Sequence, residues 1–131
     1  MTVVVNSALF GILFFFSAII SPTIFKVLDE KNSAILIRAI FPKVFALGVV
    51  LSGFSGIATF FSGNLLGTGL SCFSMALFLL NLLYFMPAIN ATRDNSVLDP
   101  ILKKKRFKLL HIGSVLIYLF CMFISLGLIL L

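Results

Sequence analysis

Residues 44–92 read VFALGVVLSGFSGIATFFSGNLLGTGLSCFSMALFLLNLLYFMPAINAT, 49 residues without one Asp, Glu, Lys or Arg. A helix needs about 20 mostly apolar residues to cross a hydrocarbon core roughly 30 Å thick. The stretch is therefore long enough for two crossings, and Ser62-Gly63-Asn64 supplies turn chemistry between them. Working outward, Lys43 and Arg93 open two charged clusters, 26–43 and 93–108, that hold every ionic side chain of the chain. Beyond them lie two further uncharged stretches, 1–25 and 109–131, each long enough for one crossing.

Bulk composition agrees. Hydrophobic residues make up 61% of the 131 residues, against about 45–50% in an average soluble domain, and charged ones 11% against about 25%. A soluble fold of this length cannot bury so much apolar side chain. The expected architecture is all-α: an integral membrane four-helix bundle with spans at about 3–25, 44–61, 65–86 and 107–131, in a single transmembrane domain, 1–131. The N-terminal stretch lacks a basic region and a small-residue cleavage site, and reads as a first span that stays.

The stretch 33–41 is too short to cross. With Arg38 among Ile35, Leu36, Ile37, Ile40 and Phe41, it suits a short helix lying in the headgroup plane, set apart from span 2 by Pro42. Pro87 is expected to end span 3, and 88–106 to form an irregular or partly helical link. All ten Lys and Arg residues fall in the two charged stretches. By the positive-inside rule these loops face the cytoplasm and both termini lie outside, as in a bacterial inner membrane. Lys103, Lys104, Lys105, Arg106, Lys108 and Arg38 are the residues expected to meet anionic lipid headgroups. The net charge of +6 is accounted for in this way, and no nucleic-acid recognition element accompanies it.

Polar residues inside the spans fall on helical stripes. Span 4 carries His111, Ser114, Tyr118, Cys121 and Ser125; span 2 carries Gly48, Ser52, Ser55, Thr59 and Ser62. Span 1 has Ser7, Gly11, Ala18 and Ser21, and span 3 has Gly67, Ser71, Ser74 and Asn81. Small and hydroxyl side chains let membrane helices approach and hydrogen-bond across one another, so the stripes read first as packing seams. Depth draws Asn81, Tyr84, His111, Ser114, Ser21 and Ser52 together as a candidate polar pocket near the cytoplasmic end. His111 admits two readings. An ionisable group inside a span marks a functional site; equally, an imidazole at the interface can rest beside the basic cluster with Asn81 as its partner.

Several chemistries lack their parts. One His and two separated Cys do not supply a structural zinc site, and the sequence points to no metal centre. One His cannot ligate haem on both faces within a single chain. No span carries a carboxylate pair, and no P-loop or nucleophile elbow occurs.

Particular residues resemble a known family. Gly11 followed by the Phe-Phe-Phe-Ser run at 14–17, Ser21-Pro22, Ile24-Phe25 with Leu28, and Ile40-Phe41-Pro42 with Phe45 are similar to the transmembrane-protein-205-like family. Asn81 with Pro87, Arg93, and Phe107 with His111 and Ser114 continue the likeness. In bacteria that family is a domain of unknown function within the CopD-like membrane group. The resemblance implies a four-helix membrane protein. Its distant relatives, HemJ-type protoporphyrinogen oxidases and copper-resistance proteins, imply haem, porphyrin or copper. Here there is one His, no Lys inside a span, and no clustering of Met75, Met86 and Met122, so neither activity carries over. The sequence thus leads to a binding or scaffolding protein with a cytoplasm-facing intramembrane pocket. A haem- or porphyrin-linked redox protein using His111 as a haem ligand, in a homo-oligomer where two histidines meet, is one alternative; a small transporter subunit is another.

Overall fold

The four uncharged stretches become four long helices in the computed structural model, which describes residues 1–131: α1 (Thr2–Val27), α2 (Glu30–Phe61), α3 (Leu65–Asp94) and α4 (Pro100–Leu130). There is no strand. Each helix is long and apolar enough to cross a bilayer, and the chain is a multi-pass membrane protein. At 1.5 Å per residue, α2 is about 48 Å long, well beyond the roughly 30 Å hydrocarbon core. The surplus turns of α2, α3 and α4 lie at the end that carries the charges, where water and headgroups can solvate them.

Local chemistry starts the helices. The Asp29 carboxylate accepts the Asn32 N–H at 2.8 Å, and the Asn64 side chain accepts the Gly67 N–H at 2.9 Å, each relieving a donor that helix geometry leaves free. Pro100 opens α4, where its missing N–H costs nothing. Between α2 and α3 the chain reverses over Ser62–Asn64 with φ of 74° at Gly63, a conformation open to glycine at no steric cost.

The prolines do not behave as breakers. Pro42 lies inside α2, so the expected separate interfacial helix is instead the first turns of one continuous 32-residue helix. The proline removes one hydrogen bond, to the Arg38 carbonyl, and leaves the turns on either side intact. Pro87 likewise does not end α3. Five residues, Asn81–Phe85, widen into a π-turn in which the Met86 N–H reaches the Asn81 carbonyl, and the helix runs on to Asp94. Of the expected 88–106 link only 95–99 is irregular, and the Lys103–Lys108 stretch is helical rather than looped. In α1 the same device recurs: a π-turn at Phe16–Ile20, closed by Ser21 N–H on the Phe16 carbonyl, stands directly before Pro22. Widening the turn moves carbonyls away from the ring that would otherwise clash with them.

The helices stand in a ring in chain order. Neighbours approach closely, whereas no Cα of α1 comes within 8 Å of α3, nor of α2 within 8 Å of α4. The stripes of α2, α3 and α4 face inward as expected, except for Ser62 and His111 at their ends, which are exposed. That of α1 does not: Ser7, Gly11 and Ala18 are exposed, and Asn6, Leu9, Leu13 and Phe16 point to the core. At the terminal end a hydrogen-bonded chain ties all four helices. Ser125 donates to the Asn6 carbonyl (2.9 Å), Asn6 donates to Ser55 Oγ (2.8 Å), and Ser55 meets Ser71 (2.9 Å). Gly48 makes room for the fully buried ring of Phe78; a Cβ there would sit 2.7 Å from it.

Candidate functional site: a cleft at the charged end

The α1–α4 seam is closed above Phe16 and open below it. Residues of α1 from Thr2 to Phe15 approach α4 closely, and Tyr118 Oη donates to the Leu13 carbonyl at 2.6 Å. From Phe16 to Val27 no Cα of α1 comes within 8 Å of α4. On the other side of the ring α3 stays on α4 throughout. Asn81 Nδ2 donates to the Ser114 carbonyl (3.2 Å), Phe85 packs against Gly113, and the Arg93 guanidinium lies 5.1 Å from the centre of the Phe107 ring. Phe107 in turn stacks on His111 at 5.9 Å.

The space left between the diverging α1 and the other helices is a cleft of about 1220 Å³, open at the charged end. Its floor is aromatic: Phe16 and Phe41 meet edge to face (5.2 Å), Phe41 leans on Phe45 (5.6 Å), and Phe45 meets Tyr118 (6.3 Å). Its mouth is basic. Lys31, Arg38, Arg93, Lys103 and Lys104 line it, against the single carboxylate of Glu30. Arg38 forms a two-pronged ion pair with Asp94, Nη1 to Oδ1 at 2.9 Å and Nη2 to Oδ2, which clips α2 to α3. Both groups lie on turns beyond the 44–61 and 65–86 spans. The Arg38 hydrogen bond holds the Asp94 carboxyl below the usual aspartate range, and that pairing raises the guanidinium in turn.

The six residues grouped by sequence separate here. His111, Ser114 and Ser21 line the cleft. Asn81 is fully buried behind Ser114, its Oδ1 without a partner. Ser52 lies in the α2–α3 seam against Ser74 (3.5 Å). Tyr84 is 57% exposed on the outer surface, beside Phe85. Of the headgroup residues, Lys103 and Lys104 face the cleft, while Lys104, Lys105 and Lys108 also border a shallow outer hollow. Arg38 is engaged by Asp94. The aromatic floor and the Arg38–Asp94 clip escaped sequence reasoning, since Phe residues occur on every face and the clip joins positions 56 residues apart.

A haem, porphyrin or copper ion would find one imidazole in this cleft. No three His, Cys, Asp or Glu side chains converge anywhere in the molecule. Cys121 is buried near the Ser74 carbonyl and Cys72 is exposed elsewhere, so no multi-ligand metal centre is assembled, and His111 is the one imidazole the cleft offers.

Comparison with known proteins places the chain without naming a reaction. An uncharacterized protein of Aquifex aeolicus (strain VF5) is 42% identical over 41 residues, a stretch that is 31% of this chain and 31% of that protein. The chain's match therefore spans about a third of the length of that relative. No solved structure matches significantly. The family described as "Domain of unknown function (DUF4149)" matches residues 4–97, which take in nearly all of α1, α2 and α3. The chain belongs to that family.

Proposed function

We propose that this protein is a membrane-embedded binding protein and that the cleft at its charged end is its working part, facing the cytoplasm. One observation carries the reading: α1 leaves α4 at Phe16 and opens about 1220 Å³ among the helices. Close packing is the rule in protein interiors, so a void of this size, with an aromatic floor and converging polar groups, is the default binding site. The positive-inside rule supports its sidedness, because the ten cations border it or lie at its end of the bundle. The residue pattern of Gly11, Pro22, Pro42, Asn81 and His111 supports kinship with the transmembrane-protein-205-like, CopD-like group.

Native mass spectrometry of the purified protein tests the binding role. A small-molecule adduct is expected, and it should diminish when Leu119, on the cleft wall, is replaced by Trp. A bare polypeptide mass in the parent protein would remove the role. The position of His111 on the cleft wall favours a second reading, porphyrin binding. A Soret band lost in His111→Ala would support it, and a colourless preparation would set it aside.

A further inference from the structure

We infer that the cleft takes an anionic phospholipid sideways from the cytoplasmic leaflet, its headgroup among the basic side chains of the mouth and an acyl chain on the aromatic floor. The inference rests on the binding role proposed above and specifies its ligand.

Three observations carry it. The first is size. Pockets for drug-sized ligands measure about 300–1,000 Å³, and this one, at about 1220 Å³, exceeds them. The second is the opening. In a ring of four helices a gap between neighbours faces the bilayer, and the α1–α4 gap runs from Phe16 to Val27. Twelve helical residues rise about 18 Å, close to the roughly 15 Å depth of one leaflet's hydrocarbon. Phe25 (61% exposed) and Val115 (36%) flank it and line the cleft. The Tyr118 hydroxyl on the Leu13 carbonyl closes its top. The third is charge. Arg38 is neutralised by Asp94, which leaves Lys31, Arg93, Lys103 and Lys104 against Glu30. A zwitterionic headgroup would bring its own cation into that surplus; a net-anionic phosphodiester would not. A soluble anion would use the mouth and leave the aromatic floor without a partner.

The chain contains no Trp, so one introduced Trp reports on its own surroundings. Phe16→Trp places it on the floor, and Phe41→Trp is a second cleft reporter should the first fail to fold. Phe123→Trp, on the exposed outer face of α4, reads ordinary surrounding lipid. Each variant is reconstituted in phosphatidylcholine vesicles doped with chain-brominated phosphatidylglycerol or chain-brominated phosphatidylcholine, and fluorescence quenching is measured. The cleft reporters should favour the brominated anionic lipid by about fivefold for each cation engaged, and the outer reporter should show much less preference. Lys31→Gln and Lys103→Gln should each reduce the cleft preference by about that factor; Lys108→Gln, outside the cleft, should leave it unchanged.

Equal quenching by both lipids in the cleft, or a preference untouched by Lys31→Gln and Lys103→Gln, would overturn the phospholipid assignment. So would loss of quenching on addition of inorganic phosphate, which would point to a soluble anion. If the cleft reporters are quenched by neither lipid while mass spectrometry still finds an adduct, the lipid falls and the binding role stands. If no adduct is found either, both fall.

Discussion

From Phe16 to Pro22 in α1 and from Asn81 to Pro87 in α3 the chain makes the same move, a five-residue π-turn set just before a proline. The likeness extends to burial. Asn6, Leu9, Leu13, Phe16 and Ile24 are the buried residues of α1, and at the same spacing α3 buries Ser71, Ser74, Phe78, Asn81 and Ile89. In α2 and α4 the buried sets Gly48, Ser52, Ser55, Thr59 and Ser114, Tyr118, Cys121, Ser125 also correspond. The chain is thus built as two similar hairpins, and what separates them lies below the π-turns. There α3 remains on α4 and α1 does not. At the matching position α3 carries Asn81, which hydrogen-bonds to the Ser114 carbonyl, whereas α1 carries Phe16, whose ring turns to Phe41. A cross-helix hydrogen bond and an Arg93–Phe107 stack hold one half-helix on α4; the other is tied to α2, where Ser33 Oγ donates to the Ile24 carbonyl (3.4 Å), and by nothing to α4. Two similar backbone devices therefore yield one closed seam and one opening, and side-chain chemistry makes the difference.

Substitution at matched positions tests this contrast. Met86 is buried and Ser21, its counterpart, borders the opening. Met86→Ala should cost about 2 kcal/mol or more, while Ser21→Ala should stay within about 0.5 kcal/mol, both read by reversible unfolding in detergent. Equal costs would erase the distinction between the two half-helices. Gly113→Val comes next. A Cβ there would lie 2.8 Å from the Phe85 ring, and such overpacking typically costs about 1–3 kcal/mol; an unchanged midpoint would mean that the α3–α4 seam is looser than described. Asn81→Leu should destabilise by about 1 kcal/mol, the scale of a hydrogen bond between membrane helices, and should make α3 more like α1. With the exposed Cys72 replaced by Ser, a cysteine introduced at Phe85 would then label faster with a thiol reagent than the same cysteine beside Asn81; unaltered labelling would take Asn81 out of that role.

The smallest effect belongs to the Arg38–Asp94 clip, which is solvent-exposed and weak for that reason. Asp94 is held below its ordinary range by Arg38. The pair therefore contributes above the unfolded aspartate value of about 3.9, and the contribution is lost as pH falls through the lower folded value. Arg38→Gln should lower the unfolding midpoint slightly at neutral pH and coincide with the parent in strong acid. A difference that persists in acid would assign the effect to packing.

Much of the fold was legible in residue order. The uncharged stretches announced the helices, and the small and hydroxyl stripes of α2, α3 and α4 announced their inward faces. The α1 stripe misled because Ser7, Gly11 and Ala18 are small enough to sit on an outer face, while large Leu9, Leu13 and Phe16 fill the core. The prolines misled because a breaker in water is tolerated in a membrane helix, where water cannot compete for the backbone. Within the candidate site, His111, Ser114 and Ser21 were legible from depth alone. Tyr84 was not, since depth does not say which way a side chain points.

The number of crossings and the gathering of ionic groups at one end follow from the sequence by itself. Leaving a charge in hydrocarbon costs roughly 2.5–3.5 kcal/mol per residue, a penalty each residue carries whatever its neighbours are. The opening between α1 and α4 was decided only by the tertiary structure. It depends on whether partners far apart in the chain, Asn81 with Ser114 or Arg93 with Phe107, meet across a seam, and on α1 having no such partner on α4 below Leu13.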